Sequence, residues 1–220
     1  MHVLRTHFAG TSNVGLYGYV TEQYALLGEQ LTGKRKEEVT AVLQVPLHHV
    51  AIAGTQMPGV FLAGNSHCVL APGILFEHER EELEKLKIPV QVLETKHTCL
   101  GNNIVCNDHG AVISTDYSEE ERQTIEAYLK VPVIKMDVAG LKTPGAVIVL
   151  QGEKGVVHRD VTDEEKHELE SVLNVTLTQA TANMGTPYLN AALLNNTNGF
   201  LIGDASGGPE IVHIDEVLYG

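Results

Sequence analysis

Residues 118–140, SEEERQTIEAYLKVPVIKMDVAG, contain one complete helix-to-strand unit of this chain. Ser118 and Glu121 have the spacing of a capping box, in which each side chain satisfies a backbone N–H of the first helical turn. The apolar residues that follow recur at helical spacing, at Ile125, Tyr128 and Leu129. This spacing predicts a short helix with one apolar face.

The helix is predicted to end at Val131-Pro132, because a proline disfavours the helical conformation of the residue before it. The β-branched run 133–138 then predicts a strand, which ends at Ala139-Gly140. One helix and one strand cannot bury this much apolar surface alone. We therefore expect them to pack against other units of the same kind.

The same pattern recurs along the chain with a period of about 44 residues. The β-branched residues that end the helices are 43, 43 and 44 positions apart, at Val45, Ile88, Val131 and Val175. Predicted hairpins return at a similar spacing, at Tyr24, Cys68, Gly110, Gly155 and Gly199. Two landmarks with one period predict five structural repeats, each reading strand, hairpin, strand, helix, strand.

The two ends of the chain complete one another. The fifth predicted helix, residues 209–218, stops where its following strand should begin, and residues 2–10 have the form of that missing strand. We therefore predict an α/β fold in which the N-terminal strand closes a ring of five small sheets. Residues 1–220 would form a single propeller domain with the helices outside. Closure removes the exposed ends that an open repeat array would have.

Two further sets of segments follow from the repeat. The outgoing strands are predicted at 15–20, 60–63, 103–106, 146–150 and 191–194. Glycine loops are predicted after the post-helix strands, at Ala9-Gly10-Thr11, Ala53-Gly54-Thr55, Leu100-Gly101-Asn102, Ala139-Gly140-Leu141 and Met184-Gly185-Thr186. In a closed ring these loops lie on one side. Such a mostly neutral surface suits a macromolecular partner better than a small ligand.

Composition excludes several classes of function. The net charge is −13, and the acidic residues collect in the first helical turns, where they complement the helix dipole. This charge disfavours extended binding to nucleic-acid phosphates. We predict no secretory leader before the first strand, and no apolar run of the sequence is long enough to span a membrane. Three cysteines without a CxxC motif predict reduced thiols in the cytoplasm.

No metal or cofactor is predicted. The eleven histidines include no HExxH motif and no Cys/His cluster at ligand spacing. The glycine-rich segment 203–209 lacks the lysine of a phosphate-binding loop, and Pro209 suits the first position of a helix instead.

Several segments along the whole chain resemble translation initiation factor 6. They include RTHFAG at 5–10, Gly64-Asn65-Ser66-His67, Leu100-Gly101-Asn102, Thr181-Ala182-Asn183-Met184-Gly185 and the segment 203–210. The resemblance implies the pentein fold, a five-fold pseudosymmetric α/β propeller. Because the chain ends at Gly220, just after the fifth helix, it is similar to archaeal members rather than to the longer eukaryotic ones.

The resemblance also implies a function without catalysis. Members of this family bind the large ribosomal subunit, contact a ribosomal protein near the sarcin–ricin loop, and keep the small subunit from joining. Carried over by position, Gly15, Asn65 and Asn102 are expected partner-binding residues in a monomeric factor. Val60 and Ser66 stand where eukaryotic members have arginines.

Two other classes of function remain as alternatives. The pentein fold also includes hydrolases and transferases that modify guanidino groups with a cysteine nucleophile near the C-terminus. Here the last cysteine is Cys106, which argues against that class. A binding module for some other assembly is the third possibility.

Overall fold

The structure is a computed structural model that describes residues 2–220, and it contains five three-stranded sheets. The strands are β1 (Val3–Thr6), β2 (Gly18–Val20), β3 (Ala25–Leu27), β4 (Leu47–His49), β5 (Ala63–Gly64), β6 (Val69–Pro72), β7 (Val90–Leu93), β8 (Ile104–Cys106), β9 (Ala111–Ile113), β10 (Val133–Lys135), β11 (Ile148–Gln151), β12 (Lys154–His158), β13 (Thr176–Ala180), β14 (Leu193–Asn196) and β15 (Gly199–Gly203). The predicted strand at 133–138 is therefore shorter than expected, since pairing in β10 stops at Lys135.

All five sheets share one topology. An outgoing strand pairs antiparallel with a middle strand, and the middle strand pairs parallel with a third strand. The third strand follows the outer helix in four sheets and is the N-terminal strand in the fifth. The sheets are β2-β3-β4, β5-β6-β7, β8-β9-β10, β11-β12-β13 and β14-β15-β1. In the last sheet Val3 lies opposite Phe200 and Thr6 lies opposite Gly203. The predicted closure of the ring by the N-terminal strand is confirmed.

A long outer helix follows the middle strand of each sheet, and in the first four sheets it leads to the third strand. The outer helices are α1 (Gly33–Leu43), α3 (Glu77–Lys85), α5 (Glu119–Leu129), α7 (Asp163–Leu173) and α9 (Gly208–Tyr219). The predicted capping box is present in α5, where Glu121 N–H donates to Ser118 Oγ at 3.2 Å and Ser118 N–H donates to Glu121 Oε2 at 2.7 Å. Ile125 and Leu129 are buried, as the apolar face predicted.

The apolar core is divided into five clusters, and each cluster is shared by neighbouring units. At the closure, Phe8 and Val14 pack with Val39 of α1 and Leu201 of β15. A matching cluster joins the second and third units, with Leu70 and Leu93 packed near Ile125 and Leu129. The joint between the first and last units therefore has an apolar core like that of the other joints.

Five short inner helical turns, which the sequence did not reveal, surround the axis of the ring. They are a 3₁₀ turn (Val14–Tyr17), α2 (Pro58–Phe61), α4 (Leu100–Asn103), α6 (Pro144–Val147) and α8 (Leu189–Ala192). Each contacts its two neighbours. Segments of four residues show no helical periodicity, so the outgoing strands were predicted to begin too early in most units.

Close packing of the inner turns requires glycine. Gly15, Gly59, Gly101 and Gly145 hold equivalent second positions, and a Cβ at any of them would overlap a backbone oxygen of the preceding turn around the ring. At Gly15 that oxygen belongs to Asn190, the residue at the fifth equivalent position. The centre of the ring is therefore closed by contact of backbone with backbone.

The strand directions give the ring two different faces. We call one the turn face: it carries the inner helical turns, the loops after the post-helix strands and the N-terminal ends of the outer helices. We call the other the hairpin face: it carries the five hairpins and the C-terminal ends of the outer helices. No helix within residues 2–220 is long and apolar enough to cross a membrane.

Candidate partner-binding face

Tight turns with left-handed backbone conformations project from the turn face. The residues that bracket them are bridged as Phe8–Thr11, Ile52–Thr55, Val138–Leu141 and Ala182–Thr186. Ala53 has φ 53° and Gly54 has φ 72°, as in a type I′ turn. Four of the five predicted glycine loops are therefore confirmed as turns. The prediction for Leu100-Gly101-Asn102 was wrong, because these residues form inner helix α4. In this unit the loop after the post-helix strand includes Thr95 to Thr98 and precedes the helix.

Glutamates tie these turns to the adjacent outer helices. Glu79 Oε2 accepts from Ala53 N–H at 2.8 Å and from Phe76 N–H at 3.0 Å, while Oε1 accepts from Gly54 N–H at 2.8 Å. Glu79 is 1% exposed. Equivalent bonds come from Glu165 of α7 and Glu210 of α9, and Glu29 in the loop before α1 accepts from Ala9 N–H. The turn face is therefore held in place by charge-assisted hydrogen bonds.

The turn at 183–185 is one residue longer than the others and is also held by a glutamate. Glu210 accepts hydrogen bonds from the N–H groups of Met184, at 3.2 Å, and Gly185, at 2.8 Å. Burial opposes the ionisation of Glu210, but these bonds, with those from Gly207 and Thr181, outweigh it and hold its pKa below the usual range. Glu210 is therefore charged at neutral pH.

Large apolar side chains are exposed at this face. Within residues 2–220, four of the five strongly exposed ones lie at or next to a turn, an inner helix or the N-cap of an outer helix: Ile74 (47%), Phe76 (51%), Met184 (85%) and Tyr188 (44%). The fifth, Val212 (55%), lies in the second turn of α9. Met184 is held out by a left-handed backbone, with φ 65°. Apolar residues on a rigid acidic rim are typical of a protein–protein contact surface.

The three expected partner-binding residues do not form one patch. Gly15 and Asn102 both lie on inner turns at the turn face, although Gly15 is buried between backbones. Asn102 is partly exposed, and its side chain makes no hydrogen bond to another group of residues 2–220. Asn65 lies at the opposite, hairpin face, because it directly follows β5.

Asn65 has a structural task at the joint between two units. Its Nδ2 donates to Leu129 O at 2.9 Å and to Asn107 O at 3.2 Å, while its Oδ1 accepts from His67 N–H at 3.0 Å. The same arrangement recurs in Asn107, which donates to Leu173 O at 2.6 Å, and in Asn196, which donates to Leu43 O at 2.8 Å. These hairpin asparagines cap the last carbonyls of the next outer helix.

A cavity of about 180 Å³ lies on the axis of the ring. Its lining consists of glycines and aliphatic residues, with Tyr19, Cys106, Asn190 and Asn195 as the larger polar members and no charged side chain. Cys106 Sγ donates to Gly64 O at 3.1 Å, and burial raises its pKa to about 12. Burial also raises the pKa of Cys68. Both thiols are therefore protonated and unreactive at neutral pH.

No metal centre is visible in the part of the chain that the structure describes. None of its His, Cys, Asp and Glu side chains form a group of three or more that could hold an ion. The turn face and the axial cavity are thus the two candidate sites.

Burial of His158 at the end of β12 makes stability depend on pH. Its Nδ1 accepts from Asp160 N–H at 3.1 Å. Burial lowers the pKa of His158; Asp160 and Glu165 act against this shift, and Arg159 adds to it. The unfolded chain therefore holds the proton more tightly than the native one. The contribution of neutral His158 to the free energy of unfolding is complete above the ordinary histidine pKa of about 6.5. It is lost as the pH falls through the depressed pKa of the native state.

We expect His158→Asn to remove this part of the pH dependence, because an asparagine Oδ1 can accept the same N–H bond without titrating. Urea unfolding measured between pH 7 and 5.5 should show the native midpoint falling and the variant midpoint nearly constant. Parallel curves for the two proteins would contradict the assignment to His158.

Five three-stranded sheets around a ring of inner turns define an α/β propeller of the pentein class. In agreement, the fold is similar to the N-terminal domain of ArgZ, described as an arginine dihydrolase from cyanobacteria. The TM-score is 0.50 and the sequences are 10% identical, over 81% of this chain and 69% of that one. At this identity the likeness concerns the fold alone.

Comparison with sequence families is more specific. A model described as the eIF-6 family matches residues 3–217. The chain is 34% identical to translation initiation factor 6 of Pyrococcus horikoshii over 99% of both sequences. It is 35% identical to the factor of Thermococcus onnurineus and 30% identical to that of Staphylothermus marinus, again over nearly the whole length of each. The chain belongs to the eIF-6 family.

Proposed function

We propose that this protein is a cytoplasmic translation initiation factor that binds the large ribosomal subunit and prevents the small subunit from joining it. Membership of the eIF-6 family supports this proposal. The observation that carries it is the turn face, where four of the five exposed large apolar side chains of residues 2–220 gather on a rigid frame. The bound protein excludes the small subunit sterically. It acts as a monomer, and residues 1–220 form one domain.

The charge of the protein favours contact with ribosomal protein over ribosomal RNA. A net charge of −13 repels RNA phosphates and attracts the basic proteins that are mixed with them on the subunit surface. In this proposal the turn face contacts a ribosomal protein near the sarcin–ricin loop. Affinity then comes from apolar contacts at the centre of the interface, and attraction between charges directs the approach.

Sedimentation with purified ribosomal subunits tests the proposal. The protein should comigrate with large subunits and not with small ones, and adding it before mixing should reduce the amount of joined ribosomes. Comigration without any effect on joining would reject the anti-association activity. Binding to neither subunit would instead favour a module for another assembly.

Asn102→Asp should weaken binding to large subunits about tenfold while leaving the melting temperature nearly unchanged. The substitution removes a partly exposed amide donor and adds a negative charge to an acidic face. One lost charged or polar contact of this kind costs about 1.5 kcal/mol. Binding is measured by sedimentation at several protein concentrations.

Asn65→Asp provides the contrast. A carboxylate cannot donate to Leu129 O, so this variant should lose thermal stability. If Asn102→Asp also lost stability, its inner turn would be structural and the role of Asn102 in binding would be withdrawn.

The enzymatic alternative is opposed by the axial cavity. A guanidinium substrate is a cation and needs a carboxylate partner, but no charged side chain lines this cavity. The one cysteine in the lining, Cys106, has a raised pKa and cannot act as a thiolate nucleophile at neutral pH. Turnover of free arginine by the purified protein would reverse this conclusion.

A further inference from the structure

Phe76 occupies a position where its residue type is unfavourable. It is the N-cap residue of α3, and the equivalent positions in α5 and α7 hold Ser118 and Thr162, whose hydroxyls accept a backbone N–H. A phenylalanine ring has no acceptor for this bond, and the ring is half exposed. A residue that breaks a local rule of folding without a structural gain often marks a functional site.

The ring of Phe76 belongs to a small, fixed apolar patch that we define as Ile74 and Phe76. A Cβ at Gly54 would lie 3.0 Å from Phe76 Cε2, so the ring lies against the tight turn. It also stacks on His78, with ring centroids 5.7 Å apart. The N–H of Phe76 donates to buried Glu79. The patch is thus preorganised at the turn face.

Carboxylates flank the Ile74–Phe76 patch. Helix α3 contains five glutamates against Arg80 and Lys85, and both bases are engaged in i, i+4 pairs with Glu84 and Glu81. Glu77 adjoins Phe76, and a Cβ at Gly73 would contact the Glu94 carboxylate. Neither Glu77 nor Glu94 forms an ion pair within residues 2–220. The patch is apolar at its centre and negative at its edges.

We infer that the Ile74–Phe76 patch is the docking site for a basic polypeptide segment. An aliphatic or aromatic side chain of the segment packs on Ile74 and Phe76, and its lysines or arginines approach Glu77 and Glu94. This inference rests on the proposed function, because the segment belongs to a protein of the large subunit. RNA is disfavoured here by the same carboxylates, and a second copy of this chain would bring like charges together.

Phe76→Ser tests the patch against large ribosomal subunits from the source organism. Binding should weaken about tenfold, because an aromatic anchor of a docked segment is lost. The melting temperature should stay within about 3 °C, since the serine restores an N-cap while the half-buried ring is removed. Val212→Ser is the matched control: it removes a half-exposed apolar side chain from the second turn of α9, outside the turn face, and should change binding less than about twofold.

Equal losses in the two variants would overturn the inference, because they would report a general need for apolar surface. Unchanged binding by Phe76→Ser would also overturn it, and normal binding by the native chain in the same experiment would leave the proposed function standing. The two failures are therefore distinguishable.

The chemistry of the partner is tested by placing the photoreactive amino acid benzoylphenylalanine at position 76 and irradiating the complex with large subunits. The inference expects a crosslinked product that survives ribonuclease and is removed by protease treatment. A product removed by ribonuclease would identify RNA at the patch, and a crosslinked dimer would identify a second copy. Either result, or no product from a bound complex, would overturn the assignment.

Discussion

Gly15→Ala lowers the melting temperature of this protein by about 6–12 °C, because the new Cβ overlaps the backbone of the neighbouring inner turn. Overpacking of this kind costs typically 1–3 kcal/mol, and the oxygen of Asn190 that it meets is part of a closed ring. One kcal/mol corresponds to about 2–4 °C for a domain of 150–250 residues. We expect a loss of stability at the upper end of the range of about 1–3 kcal/mol, since the five inner turns cannot move apart independently.

The matched control is Gly208→Ala at the start of α9. A Cβ there would meet nothing within 4 Å, and alanine is the better helix former. Calorimetry should show this variant melting at or slightly above the native temperature, with a single transition in all three proteins. A native-like melt for Gly15→Ala would mean that the inner ring relaxes easily, which would remove the steric reason given for the glycine.

Glu79→Gln reduces the free energy of unfolding by about 2–3 kcal/mol. Three backbone N–H groups point at the Glu79 carboxylate, and a glutamine replaces one of its two oxygens by an NH₂ group that can only donate. The glutamine NH₂ group then faces a backbone N–H in a buried position, so that two donors meet without an acceptor. This costs the desolvation penalty of an unmatched polar group. Urea unfolding at pH 7 measures the loss.

Glu121→Gln is the corresponding change in the third unit and should cost less than half as much. The partner of Glu121 Oε1 is the hydroxyl of Thr95, which can accept a bond from the glutamine NH₂ group instead of donating one. The remaining oxygen can still accept from Ser118 N–H. If both variants lost the same stability, the charge of the glutamate rather than the direction of its hydrogen bonds would determine the effect.

The repeat, the outer helices and the closure could be predicted from the sequence, because each has a signal that is spread over many residues. Capping boxes such as Ser118 and Glu121, and the regular spacing of Val45, Ile88, Val131 and Val175, fix the units. Because no strand follows the fifth helix, residues 2–10 could be predicted to supply the third strand of the last sheet.

The inner turns could not be predicted, since four residues are too few for a period to appear. Gly101 was consequently assigned to a tight turn by its glycine, although its absent side chain serves close packing in α4. The two interactions of Glu79 could not be predicted together either. Its bond to Phe76 N–H, at the start of its own helix, is local in sequence, but the turn at Ala53 that it also holds lies 26 residues earlier. Exposure of Phe76 and Met184 likewise depends on distant parts of the ring.

The pairing of β1 with β15 has a consequence for biosynthesis. Val3 leaves the ribosome early, yet its partner Phe200 is made 197 residues later. Contacts this distant in sequence form slowly, and the apolar cluster around Phe8 and Leu201 stays incomplete until they do. A nascent copy therefore cannot complete its fifth sheet until Phe200 has been made, and under the proposed function it cannot bind subunits before that point.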